Sequence, residues 1–510
     1  MGEEMESKGD MDGYEFEPRW EMGGRGREIA GRAGGGEAGK SRHHTNSNQL
    51  VCAVPWRHAT VRQDHRRGPR GRAAHRGAAA GAHPSVRARR AVDHAPAHPA
   101  RAHLRQRRRR RRQHAAVDAL RASFVETLAR FPTLAGRIVH VPPTGDAAFD
   151  CTAGGVASGV RFLVAEASED FDAYAARRLA GDEDHDVEAF ARLVPALDTG
   201  VLPAETLAAQ VTRLRGGGLA VGVAMHHAAV DGRSVCRFLR AWAAACRGEG
   251  DADAAAEPPT TFDRTAIRLP GGEELARSVL RKWVPDLPVA AVAGHFIRPN
   301  LSRRTFTISV QAMHRLKQRV VAELSPAHEQ DAAGTPPPSS FVAVAALAWV
   351  SFVRSKHPAG IFSADDEVYL FFFADCPARL DPPPGDGYFG TCISGCLARA
   401  TAGGLLAEGG AGVAAAAVAE EDPLAGWDWM TTLGRVDMDR LMNLAGSTRF
   451  PAYEAADFGW GPPGRTELVT MNHDGQVVLV AGKGGGVQAS VSLHPAHIDA
   501  YKSHFLSYFG

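Results

Sequence analysis

The chain has 510 residues, 44% of them hydrophobic, enough to bury a large core and to form two or more domains. Its net charge of +2 hides an asymmetry, because residues 1–112 carry 25 Lys+Arg against 12 Asp+Glu and join a mildly acidic body. Seven scattered cysteines, an odd number, read as free thiols in a reducing compartment rather than as a disulfide framework. No secretory signal is visible, and the longest apolar run, 341–353, is too short to span a bilayer. The expectation is a soluble, cytoplasmic protein.

Residues 1–112 hold almost no periodic apolar pattern. Between 43 and 112 there are eighteen arginines and two aspartates, ending in six consecutive arginines at 107–112. Clustered arginines bind phosphate by counterion release. The same composition also arises when GC-rich coding sequence is read out of frame, and a basic arm serves no evident purpose on the body that follows. The segment reads as a disordered basic extension, with no nucleic-acid partner expected. Order begins near His114. Val117, Leu120, Phe124, Leu128 and Phe131 form a helical stripe that Pro132 stops. LAGRIV (134–139) opens a strand-rich region. Asp182, Glu183, Asp184 and Asp186 lack the glycine turn and ligand order of a calcium loop, so they read as a solvated loop and no metal is expected.

Residues 218–246 are the centre of the chain. A run of small and β-branched apolar residues at 219–225 fits a buried strand. A tight polar turn follows, His226-His227-Ala228-Ala229-Val230-Asp231-Gly232. Val235, Phe238, Leu239, Trp242 and Cys246 then recur at helical spacing. A histidine on a turn between strand and helix suits a general base near neutral pH. With 22 histidines in the chain, about one such His-Asp pair is expected by chance, so the pair alone decides nothing.

A linker is expected from 247 to about 261. Beyond it, 304–310 reads as a strand, 311–323 as a helix and 341–353 as a buried helix. VYLFFFA (368–374) reads as a central strand. DCPARLDPP and then Tyr388-Phe389-Gly390-Thr391-Cys392 come after it. Segments 477–481 and 487–493 flank GKGGG as a hairpin, and 498–509 closes the chain.

Asp457-Phe458-Gly459-Trp460-Gly461 is a pentapeptide whose chance occurrence in this length is negligible. With it, the sequence resembles the plant BAHD acyl-CoA-dependent acyltransferases, which carry His-x-x-x-Asp in mid-chain and Asp-Phe-Gly-Trp-Gly near the end. FPTLAGRI (131–138), FVAVAALAWV (341–350) and YFGTC (388–392) extend the resemblance over roughly 115–510. YFGTC is similar to the Tyr-Phe-Gly-Asn-Cys of the branch that mostly uses malonyl-CoA on phenolic glycosides. Three departures stand out: residues 1–112 lack the family's opening strand, Thr391 replaces an asparagine, and Pro377 replaces an arginine, leaving Arg379.

The resemblance implies an α/β fold of two similar-sized domains like chloramphenicol acetyltransferase, with a solvent channel between them. The expected boundaries are 1–112 for the extension, 113–260 and 301–510 for the domains, and 261–300 for the crossover. It implies transfer of an acyl group, malonyl by the branch motif, from acyl-CoA to a hydroxyl of a phenolic or flavonoid glycoside. His227 would be the general base. In the family, the aspartate at the Asp231 position ion-pairs with an arginine and fixes the turn; Arg379 is the candidate partner by order in the chain. Gly232 is expected to supply a turn conformation that a Cβ would hinder. Asp457, Phe458, Gly459, Trp460 and Gly461 are expected to be structural and to shape the CoA channel. Malonyl-CoA calls for a cation at its free carboxylate, with Arg233, Arg303 and Arg304 available. Acyl-CoA is a co-substrate, no cofactor stays bound, and a monomer is expected. Two other readings stand. HHxxxDG also marks carrier-dependent condensation domains, against which the DFGWG segment argues, and a catalytically dead paralogue would serve as a binding protein.

Overall fold

The runs of β-branched and aromatic residues fall into two principal sheets. The computed structural model describes residues 47–54, 99–167, 187–214, 217–249, 258–268, 271–290, 301–324, 336–425, 429–469 and 473–509. In chain order the strands are β1 (Ser47–Val54), β2 (Arg137–Val141), β3 (Asp146–Asp150), β4 (Arg161–Glu166), β5 (Ala204–Glu205), β6 (Leu207–Arg213), β7 (Leu219–His226), β8 (Ser302–Ile308), β9 (Glu367–Asp375), β10 (Ile393–Thr401), β11 (Leu441–Gly446), β12 (Arg465–Leu468), β13 (Gln476–Ala481) and β14 (Val487–Leu493). The helices of ten residues or more are α1 (Pro99–Leu128), α2 (Gly232–Arg247), α3 (Gly272–Trp283), α4 (Val310–Leu324), α5 (Ser340–Lys356), α6 (Gly410–Ala419) and α7 (Pro495–Leu506).

The first sheet runs β12-β1-β7-β6-β4, with β2, β3 and β5 as a small sheet of their own. Its core forms where α1 and α2 bring Leu120, Phe124, Phe238 and Trp242 onto Val221 and Val223. Trp242 lies 4.9 Å from the Phe124 ring and donates its indole N–H to the Leu120 carbonyl at 3.0 Å, so its one polar atom is satisfied in the core. Each fully buried side chain of this size contributes roughly 1.5–3 kcal/mol.

Two segments differ from the sequence reading of 1–112. Residues 47–54 supply an opening strand: β1 pairs antiparallel with β7 along its length, Ser47 opposite His226, and with β12 on its other side. Without β1, β7 would have one open edge beside the His226–Gly232 turn. Helix α1 begins at Pro99 rather than near His114, with Arg107 to Arg112 exposed on it. Its packed part starts at Gln113, whose amide donates to Leu214 O at 2.9 Å and Gly218 O at 3.0 Å, bracing the turn between β6 and β7. The rest of the expected extension, 1–46 and 55–98, lies outside the described residues, as does the acidic group at 182–186.

The second sheet runs β10-β9-β11-β13-β14-β8. Helix α5 is apolar all round and accordingly buried from Ala343 to Val353 beneath one face of this sheet. β9, the VYLFFFA run, pairs antiparallel with β10 and parallel with β11. The hairpin around GKGGG is present as β13 and β14. β12, from the C-terminal half, belongs to the first sheet, and a buried network joins it to the second. Glu467 accepts from Arg303 at 3.1 Å and from Arg465 at 2.8 Å, and Thr305 and Ser490 complete the group.

Candidate active site

β7 is fully buried from Leu219 to Met225, and its residues are small enough for tight strand packing. At Gly222 a Cβ would stand 2.1 Å from Leu193 O. The strand stops at His226, the chain turns through 227–229, and α2 starts at Gly232. Alternation and turn therefore put two adjacent histidines in different surroundings. His226 accepts from Ala228 N–H through Nδ1 at 3.1 Å, which makes it a neutral ring protonated on Nε2. Burial, with the neighbouring His227 adding to it, pushes its pKa down to about 4. His227 is half-buried, and its ring lies 6.2 Å from that of Phe373 at the end of β9.

Asp231 is 4% exposed and caps α2. Its Oδ1 accepts from Ser234 N–H at 2.9 Å and its Oδ2 from Cys392 N–H at 3.2 Å. The expected partner, Arg379, is exposed on the turn Pro377–Arg379, and among the described residues no ion pair joins the two. Backbone amides take that place. The YFGTC loop thus braces the His227–Asp231 turn from the other side. Thr391 Oγ1 donates to His227 O, and Asp231 N–H donates to Gly390 O at 3.2 Å. Ser234 Oγ donates to Gly390 O at 2.8 Å and accepts from Gly390 N–H at 3.0 Å.

Gly232 does not have the left-handed backbone that would make a turn conformation its reason. It is small because Phe450 lies against it: a Cβ there would stand 2.1 Å from the ring. Arg233 and Arg237 both donate to Asp386 O, at 3.0 and 3.2 Å, and hold the loop before Tyr388. The other two arginines considered for the acyl carboxylate are also engaged, Arg303 with Glu467 and Leu468 O, and Arg304 with Asp499 at 2.6 Å.

The DFGWG segment lies at the far end of α2, a helix of 16 residues and about 24 Å. Asp457 Oδ1 accepts from both Gly459 N–H and Gly461 N–H at 3.0 Å. Both glycines have positive φ, +99° and +87°, which the tight loop requires. Phe458 packs 4.9 Å from the Trp242 ring, Arg247 donates to Asp457 O, and Trp460 is half-buried beside them. This loop anchors one end of α2 while YFGTC anchors the other.

Among the described residues no group of His, Cys, Asp and Glu could hold a metal, and no helix is long and apolar enough to cross a membrane. Sequence reasoning missed Phe373, Phe450 and Ser234. Only Ser234 had a local signal, a hydroxyl three residues after an N-capping aspartate. The other two depend on long-range packing.

His227 therefore stands half-buried on a turn between a buried strand and a helix, held to the 390–392 loop through its own carbonyl and through Asp231. A family model described as the Transferase family matches residues 102–507. The chain belongs to this family, the BAHD acyl-CoA-dependent acyltransferases. It is 28% identical over 335 residues to phenolic glucoside malonyltransferase 1 of Nicotiana tabacum, covering 62% of this chain and 70% of that one. It is 28% identical over 425 residues to malonyl-CoA:anthocyanidin 5-O-glucoside-6''-O-malonyltransferase of Arabidopsis thaliana, covering 76% and 86%. Among solved structures, vinorine synthase matches with a TM-score of 0.58 at 18% identity, over 91% of this chain and 90% of that one. F. sporotrichioides TRI101 complexed with coenzyme A and T-2 matches with 0.57 at 15%, over 89% and 93%. The fold is the two-domain, chloramphenicol-acetyltransferase-like α/β fold expected from the sequence.

Proposed function

We propose that the enzyme moves a malonyl group from malonyl-CoA to a hydroxyl of a phenolic or flavonoid glycoside, with His227 as general base. The observation that carries the catalytic part is the position of His227, half-buried beside Phe373 on a turn stapled from both sides. The names of the relatives support the donor and acceptor classes.

His227 Nε2 removes the proton from the acceptor hydroxyl as its oxygen attacks the thioester carbonyl. The tetrahedral intermediate collapses and expels CoA as a thiolate, which takes the proton from the imidazolium. No acyl-enzyme forms, because the bound acceptor is itself the nucleophile. His226, kept neutral by burial, does not compete for that proton. Asp231 is structural: both its oxygens are used to hold the turn and the 390–392 loop.

On this reading 113–260 and 301–510 are the two catalytic domains, joined by 261–300. The enzyme works as a cytoplasmic monomer with no bound metal or cofactor, and neither nucleic acid nor membrane is a partner. The test is release of CoA thiol from malonyl-CoA in the presence of phenolic glucosides, with His227→Ala as control. Turnover that disappears in the variant supports the reading. Absence of turnover from folded protein, with acetyl- and hydroxycinnamoyl-CoA also supplied, would favour a dead paralogue.

A further inference from the structure

The second sheet has two faces of different character. Met442, Leu444, Val477, Leu479, Val491 and Leu493 belong to the core beneath α5. By alternation, their neighbours Asn443, Gln476 and Ser492 point to the opposite face. Strand register places Phe371, Asn443, Gln476, Ser492 and Arg303 in one row across β9, β11, β13, β14 and β8. One end of this row meets the catalytic turn: Phe371 packs 5.0 Å from Phe373, which faces His227. The other end meets β12, through Arg303 and Glu467.

The middle of the row is polar and unsatisfied. Gln476 is 1% exposed, yet among the described residues neither its Oε1 nor its Nε2 has a partner, and Oδ1 of half-buried Asn443 beside it has none either. Amides buried without partners are disfavoured, and each such group requires a reason for being there, of which a ligand is one. Here two of them lie side by side, one and two strands from Phe371, a span of about 10 Å. We propose that Asn443 and Gln476 read the hydroxyl groups of a glycosyl acceptor. Asn443 meets the sugar directly, and Gln476 reaches it through one bridging water or sugar hydroxyl. Phe371 and Phe373 form the apolar part of the floor, leading to His227.

This inference rests on the glycoside reading above and deepens it. An uncharged chain of donors and acceptors also occurs in the pantetheine arm of CoA, so the experiment must separate acceptor from donor.

Asn443→Leu and Gln476→Leu are compared with wild type, using 4-nitrophenyl β-glucoside and 4-nitrophenol as acceptors and malonyl-CoA as donor. The glucoside-to-phenol ratio of kcat/KM is expected to fall about tenfold in each variant, as for loss of one ligand hydrogen bond. The melting temperature of Gln476→Leu is expected to hold or rise, because leucine removes a buried amide without a partner. An unchanged ratio in both variants overturns the inference, as does a selective rise in KM for malonyl-CoA. So does a melting temperature that falls by several degrees in Gln476→Leu and in the closer-shaped Gln476→Met, which would make the amide structural. Wild-type enzyme that acylates only sugar-free acceptors would instead sink the glycoside reading, and this inference with it.

Discussion

Ser234 and Gly390, 156 positions apart in the chain, exchange two hydrogen bonds: the serine hydroxyl donates to the glycine carbonyl at 2.8 Å and accepts from its N–H at 3.0 Å. A single buried hydroxyl therefore joins the first turn of α2 to the YFGTC loop. Ser234→Ala leaves both Gly390 groups short of a partner in a site where water does not replace it. A destabilisation of about 1–3 kcal/mol is expected. Because the loop also holds the His227 carbonyl through Thr391, kcat should fall more than KM for either substrate. Urea unfolding and steady-state kinetics on the same preparation check both; full activity with unchanged stability would contradict the staple.

Asp231 carries two loads at once. Asp231→Ala removes the cap of α2, a loss of about 1 kcal/mol. It also strands the buried Cys392 N–H, for about 1–3 kcal/mol more. Melting temperature and kcat should drop together. A variant at Arg379 should leave the melting temperature within a degree or two, since that side chain is exposed and makes no pair with Asp231 among the described residues. If Arg379→Ala destabilises as much as Asp231→Ala, the amide account of this carboxylate is wrong.

These contacts show what can be read from sequence and what cannot. Strand β7, the His227 turn and helix α2 lie within 29 consecutive residues, and each has a local pattern. The glycine-flanked DFGWG loop likewise carries its hydrogen-bond logic within itself. The Asp231 partner is not legible, because backbone amides have no residue signature, and the family resemblance points to an arginine instead. β1 was hidden for another reason. SNQLVCAV has only a short apolar run, in a segment otherwise dominated by arginine, and its identity as a strand comes from pairing with β7 and β12. At Gly232 the sequence suggests backbone freedom, whereas Phe450 supplies the constraint from 218 residues downstream.

That constraint gives a paired test. Gly232→Ala places a methyl 2.1 Å from the Phe450 ring and forces the ring or the helix to shift, at about 1–3 kcal/mol. Phe450→Leu alone should be mildly destabilising. The double variant should recover part of the loss, giving a favourable coupling of about 1 kcal/mol in a double-mutant cycle. Strict additivity would mean that the Gly232→Ala cost comes from the backbone after all.

His226 gives an expectation for pH. Burial holds its folded pKa at about 4, against an ordinary histidine value of 6.5. As pH falls below about 6.5 the unfolded chain takes up a proton that the folded site refuses, so stability is lost through this window until about pH 4, where the folded ring protonates too. His226→Gln cannot take up that proton in either state, and its melting temperature should decline less between pH 7 and pH 4.5 than that of wild type. The difference should be insensitive to moderate salt, because burial is the larger cause. His227→Gln should remove turnover. An acid slope in His226→Gln as steep as that of wild type would contradict the assignment of a neutral ring at 226.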